Sequence, residues 1–139
     1  MSEITIRFAN EQDIAFLDET DRHIKEDQIR KKVADKEILV AAIGDDQLGL
    51  LRWNYFWDLI PFMNLLWIHP MYHRRGFGRR LVLEWERLMR EAGYEAVMTS
   101  TLSDELAQNF YRAIDYKDQG VLLLPDEAAE LIFYKRLKK

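Results

Sequence analysis

Residues 67–82 read Trp-Ile-His-Pro-Met-Tyr-His-Arg-Arg-Gly-Phe-Gly-Arg-Arg-Leu-Val, and the succession of residue types there decides how the chain is built. An apolar run ends at Ile68, a basic turn containing Gly76 and Gly78 follows, and a helix is expected to open at Gly78. Glycine lets the backbone approach a ligand closely, and the free amides of a helix N-terminus form a ready anion site. Arg74, Arg75, Arg79 and Arg80 crowd this turn in a chain whose net charge is −4. The segment therefore predicts a phosphate or pyrophosphate held on main-chain N–H groups, with arginines neutralising further charge. The competing reading of the same arginines is a solvated helix start with no ligand.

Three nucleotide motifs fail on these residues. No GxxxxGK[ST] loop exists in the chain. A GxGxxG fingerprint needs a third glycine where Leu81 stands. Arg75-Gly76-Phe77-Gly78 opens like the octapeptide of an RNA-recognition motif, which should continue as a strand. Here Arg79-Arg80-Leu81-Val82 follows, and the apolar period becomes that of a helix.

Outward from this segment the pattern alternates. Residues 4–8 (Ile-Thr-Ile-Arg-Phe) read as a first strand, and Asn10 caps a helix whose first turn holds Glu11 and Asp13. Ile14 and Leu17 begin that helix's stripe, and Ile24, Ile29 and Val33 mark a second. Strands at 37–43 and 47–55 meet through Gly44-Asp45-Asp46, and Pro61 is expected to break the chain before a strand at 62–69. Leu81, Trp85, Leu88 and Ala92 form the next helical stripe, closed by Gly93. A strand at 95–101 precedes a helix capped by Ser103, with Ala107, Phe110, Tyr111 and Ile114 as its stripe. Strands at 117–124 and 130–137 flank a Pro125-Asp126-Glu127 turn. The order β-α-α-β-β-β-α-β-α-β-β predicts a single mixed α/β domain over residues 1–139.

Composition narrows the chemistry. A hydrophobic share of 48% excludes a disordered tether, and the absence of cysteine excludes disulfides and thiolate nucleophiles. With His23, His69 and His73 outside any HExxH pattern, no metal is expected. The acidic balance speaks against a nucleic-acid partner. No apolar run suits a membrane span and no leader pattern is seen, so a soluble cytoplasmic protein is expected.

His73-Arg74-Arg75-Gly76-Phe77-Gly78 resembles the acetyl-CoA loop of the GNAT N-acetyltransferase superfamily, [Q/R]-x-x-G-x-[G/A], with His73 in place of Gln or Arg. Residues 104–116 resemble the family's second motif, N-x-x-A-x-x-[FL]-Y-x-x-x-G-[FY], with Asp104 for Asn and Asp115 for Gly. Leu131-Ile132-Phe133-Tyr134-Lys135-Arg136-Leu137 resembles its last strand. The resemblance implies a mostly antiparallel mixed sheet splayed at its fourth strand and flanked by helices. It also implies acetyl-CoA as cofactor and transfer to a primary amine, of a small molecule or a peptide, by direct attack in a ternary complex.

Residue by residue, the resemblance implies that Leu66, Trp67 and Ile68 pair with the pantetheine arm. It implies that His73, Arg74, Arg75, Gly76, Phe77, Gly78 and Arg79 hold the pyrophosphate. Asp104, Ala107, Asn109 and Tyr111 are the matching contacts from the second motif. Tyr111 has the family position of the acid that protonates the coenzyme A thiolate, with ordinary core packing as the alternative. Trp53, Tyr55 and Trp57 are expected on one strand face, either as core or, with Asn64, as an acceptor pocket. Residues 62–68 lack the glutamate some members use as base, which leaves Asn64 through a water, or Asp58. A homodimer agrees with the family's habits. A non-catalytic acyl-CoA sensor on the same fold is the alternative function, and an RNA-binding module a distant third.

Overall fold

The computed structural model describes residues 3–138. Seven strands and four helices run in the order β1 (Thr5–Phe8), α1 (Ile14–Thr20), α2 (Glu26–Ala34), β2 (Ile38–Ile43), β3 (Asp46–Phe56), β4 (Ile60–Ile68), α3 (Phe77–Glu91), β5 (Ala96–Leu102), α4 (Ala107–Ala113), β6 (Lys117–Leu122) and β7 (Glu130–Arg136). The hydrogen-bonded strand order is β1-β2-β3-β4-β5-β7-β6. Two compact units arise from this chain, one comprising the described residues up to Trp53 with Leu65–Trp85, the other Asn54–Asn64 with Glu86 onward. Their boundaries fall inside β3, β4 and α3.

In the first unit β2 is buried along its length and pairs antiparallel with β1 and with β3. Leu17 of α1 and Ile29 of α2 pack with Ile38, Val40 and Leu50, and Phe16, Leu65 and Trp67 close over this core. Asn10 takes the Gln12 N–H, as expected of a cap, and Asp13 returns a bond to the Asn10 N–H, a reciprocity the sequence reading did not include. Asp13 is itself buried, and the Arg7 fork at 2.7 and 2.9 Å holds its carboxyl below the usual range against the opposing cost of burial. A second buried pair, Arg52 to Asp21 at 2.5 Å, ties the end of α1 to β3.

In the second unit β4 and β5 form the parallel pair, a short ladder of Phe62 with Met98 and Met63 with Thr99. β5 pairs antiparallel with β7, and β7 with β6. Beneath them Glu86 of α3 is buried and accepts from the Tyr116 hydroxyl and the Lys135 ammonium, each at 2.9 Å. Burial and that carboxylate push the Tyr116 phenol well above its ordinary value.

Several local expectations need correction. Pro61 does not interrupt the chain; it is the second residue of β4, near a strand start where its missing N–H is tolerated. The reversal lies earlier, at Trp57 and Asp58, both left-handed (φ 56° and 59°) with Leu59 N–H on Phe56 O. Ser103 caps no helix, because α4 starts at Ala107 and Gln108 Nε2 instead ties down the Ser103 and Glu105 carbonyls. Ile24 precedes α2, and Ala92 and Ala107 are exposed; the buried stripe of α3 is Leu81, Val82, Trp85 and Met89. Gly93 (φ 99°) does close α3, and Asp115 does occupy a left-handed exit (φ 75°) after α4.

Candidate active site

In the first unit β4 ends at Ile68, and the chain makes a 3₁₀ turn over Pro70–Tyr72. His69 Nδ1 accepts the Met71 N–H at 3.1 Å, and the His73 ring Nε2 bonds the Ile68 carbonyl at 2.7 Å. The ring of His73 thus ties the turn back to the end of the strand. Arg74 (φ 65°) and Gly76 (φ 79°) are left-handed, and α3 begins at Phe77 rather than Gly78. Among the described residues, no N–H from Arg74 to Arg79 donates to a protein acceptor; the first helical bond runs from Arg80 N–H to Gly76 O at 3.1 Å. Consecutive free amides at the start of a long helix are the requirement for holding an anion on backbone.

Side chains complete that turn. Arg75 lies over the Tyr72 ring at 5.4 Å, and Tyr72 packs on Phe77 at 6.0 Å. Arg74, Arg75, Arg79 and Arg80 are exposed and form no ion pair with any described carboxylate. Leu66, Trp67 and Ile68 are half-buried, with Trp67 between Phe16 (5.9 Å) and His69 (5.9 Å).

Gly49 of β3 escaped the sequence reading. A Cβ there would stand 2.6 Å from Ile68 Cδ1 and 2.9 Å from the Trp67 carbonyl oxygen. Only a missing side chain lets β3 accommodate the last residues of β4. The available signal was a glycine within an otherwise apolar strand pattern.

In the second unit Tyr111 is buried on α4, its ring against Tyr116 (5.7 Å) and Phe133 (6.0 Å). Thr99, its polar neighbour, donates its own hydroxyl to the Met63 carbonyl at 3.0 Å. Burial pushes this phenol up to about 12, above the ordinary tyrosine value expected from sequence. Asp104 sits exposed in the turn before α4, and Ala107 and Asn109 are exposed on it.

Of the three aromatic residues expected on one face, Trp53 and Tyr55 lie on β3 and Trp57 lies past its end. Trp53 is fully buried against Trp85 (6.1 Å) and belongs to the core of the first unit. Tyr55 is half-buried beside Tyr94 (5.6 Å). Trp57 has left the strand, because its left-handed turn conformation breaks the alternation; it is 75% exposed, its ring on Phe56 at 4.5 Å. Asn64 is exposed on β4 and Asp58 on the hairpin tip. Among the described residues no group of three or more His, Asp or Glu is placed to hold a metal ion, and no helix is long and apolar enough to cross a membrane.

The strand, the turn of free amides and the basic helix start thus stand in the order read from the sequence. The model of the acetyltransferase (GNAT) family matches residues 4–116, and the chain belongs to that family. Among solved structures it is similar to Ard1 from Thermoplasma volcanium, with TM-score 0.84 and 16% identity over 98% of this chain and 99% of that one. It is also similar to yncA from Salmonella typhimurium, solved with its cofactor acetyl-CoA (0.81, 15%, 98% and 95%). A third is the paia N-acetyltransferase from Thermoplasma acidophilum in complex with coenzyme A (0.74, 18%, 96% and 99%). No curated protein sequence matches the chain significantly.

Proposed function

We propose that this protein is an acetyl-CoA-dependent N-acetyltransferase that moves the acetyl group to a primary amine of a small molecule or peptide. The observation that carries the reading is the run of unpartnered amides from Arg74 to Arg79, which suits the pyrophosphate of coenzyme A. The loop arginines add screened attraction to the phosphates. Leu66, Trp67 and Ile68 pair with the pantetheine arm, and a main-chain N–H of this stretch polarises the thioester oxygen. Family membership and two solved relatives carrying the same cofactor support the assignment.

The acceptor amine attacks the thioester carbonyl directly, and the N–C bond forms as the C–S bond breaks. The departing thiolate takes the proton of the Tyr111 hydroxyl, while the proton lost by the amine passes to solvent, from which the phenol is reprotonated. A phenol held near 12 stays protonated through the neutral range, so the donor form is present at every ordinary assay pH. Net acidity of the chain favours the approach of cationic amines.

A thiol-release assay with acetyl-CoA against polyamines, aminoglycosides, free amino acids and N-terminal peptides tests the reading. Thiol release that depends on one amine class supports it. Tight coenzyme binding with no release on any acceptor would instead favour an acyl-CoA sensor, consistent with the absence of a carboxylate from residues 62–68.

A further inference from the structure

A groove of ≈ 730 Å³ lies within the second unit, lined by Arg90 of α3, Lys117 and Gln119 of β6, Tyr134 and Arg136 of β7, and Lys138 beyond it. Glu86, Lys135 and Asp115 also reach it. Eight lysines and arginines form ion pairs with carboxylates among the described residues. Among the described residues, those making no ion pair fall into two clusters, with only Arg22, Lys25 and Lys36 outside them. One cluster is the Arg74–Arg80 turn. The other is Arg90, Lys117, Arg136 and Lys138, brought to the groove from separate elements.

The carboxylates of the groove do not neutralise that second cluster. Glu86 is buried and already answered by Tyr116 and Lys135. Asp115 is exposed on the left-handed exit of α4 and pairs with none of the four cations. Unpaired like charges held together repel one another, and in a chain of net charge −4 their concentration points to an anion. The volume suits a small ligand. Arginine forks and lysine ammonium groups both take phosphate oxygens, and Gln119 and Tyr134 can add neutral donors. Several spaced cations match linked phosphates better than a single carboxylate.

We propose that this groove is a second ligand site, for a small molecule carrying two or more linked phosphates. It shares no residue with the Arg74–Arg80 turn.

Sodium tripolyphosphate is the probe, titrated calorimetrically at low salt into the full chain and two variants. The first variant combines Lys117→Gln, Arg136→Gln and Lys138→Gln, three exposed side chains whose loss breaks no ion pair. The second is Gly78→Glu, which blocks the turn. The parent should show two binding events, and the triple variant should weaken one of them about tenfold or more while keeping its Tm and its affinity for coenzyme A. Gly78→Glu should keep that same event. A single event that Gly78→Glu removes and the triple variant leaves unchanged would overturn the site. Citrate, an anion of carboxylates alone, should bind the groove more weakly; equal affinity would overturn the phosphate assignment. Because the groove event is read without acetyl transfer, its failure and that of the proposed enzyme reaction are told apart.

Discussion

The turn from His73 to Arg80 offers main-chain N–H groups on an exposed stretch, whereas Tyr111 offers one hydroxyl from a buried ring. In the turn almost any side chain serves so long as the backbone is free to approach, which is why Gly76 and Gly78 carry more of the argument than the arginines. At Tyr111 the side chain is the whole contribution, and its surroundings set its chemistry. On the proposed reading the first region binds the cofactor and the second transfers a proton. Changes in the two should therefore separate affinity from turnover.

The largest expected effect lies at Tyr111. Tyr111→Phe removes one hydroxyl and little packing, leaving Thr99 bonded to Met63. Turnover with a good acceptor should fall by ~10²–10⁴-fold, the usual range for losing a general acid. Steady-state kinetics with coenzyme affinity measured in parallel checks this. Unchanged kcat would make Tyr111 a core residue and assign thiolate protonation to water.

The same burial has a consequence at high pH. The Tyr111 phenol ionises near 12 in the folded protein and near 10 in an unfolded chain. Below pH 10 both states hold the proton, and between 10 and 12 only the folded one does. Folding stability should therefore fall through that window by about 2–3 kcal/mol from this group. Tyr116, also raised, adds to the fall. Urea unfolding of parent and Tyr111→Phe from pH 9 to 12 should show a shallower decline in the variant. Parallel declines would mean that the phenol is not desolvated.

Gly49→Ala sharpens the contrast from the binding side, since it touches neither the turn nor Tyr111 directly. The new methyl group would meet the Trp67 carbonyl oxygen, a backbone atom that cannot swing aside. Overpacking of this kind costs about 1–3 kcal/mol, and coenzyme affinity should drop with it because β4 must move. Thermal melts and coenzyme titration together test this; a variant with unaltered Tm and affinity would show that β4 yields freely.

What was legible in the sequence follows the same division. The strand, turn and helix around Gly76 rest on short-range spacing and backbone freedom; the strand ends and the helix begins one residue before expectation, while the strand starts two residues early. Gly93 and Asp115 likewise announced their left-handed conformations by position. The raised phenol of Tyr111 comes from burial against Phe133 and Tyr116, partners distant in sequence or outside the helix, and no local pattern encodes it. Trp57 misled because alternation was carried past the strand end into a tight turn of two non-glycine residues. Gly49 was missed because the residue it accommodates lies on another strand.

The central claim is that the amides after His73 bind coenzyme A while Tyr111 acts on the thiolate. Titration of coenzyme A into parent, Gly78→Glu and Tyr111→Phe tests it most directly. The account predicts that Gly78→Glu loses binding by about 100-fold or more, since a carboxylate would enter an anion cradle, while Tyr111→Phe binds within a few-fold of the parent. Undiminished binding by Gly78→Glu would contradict it.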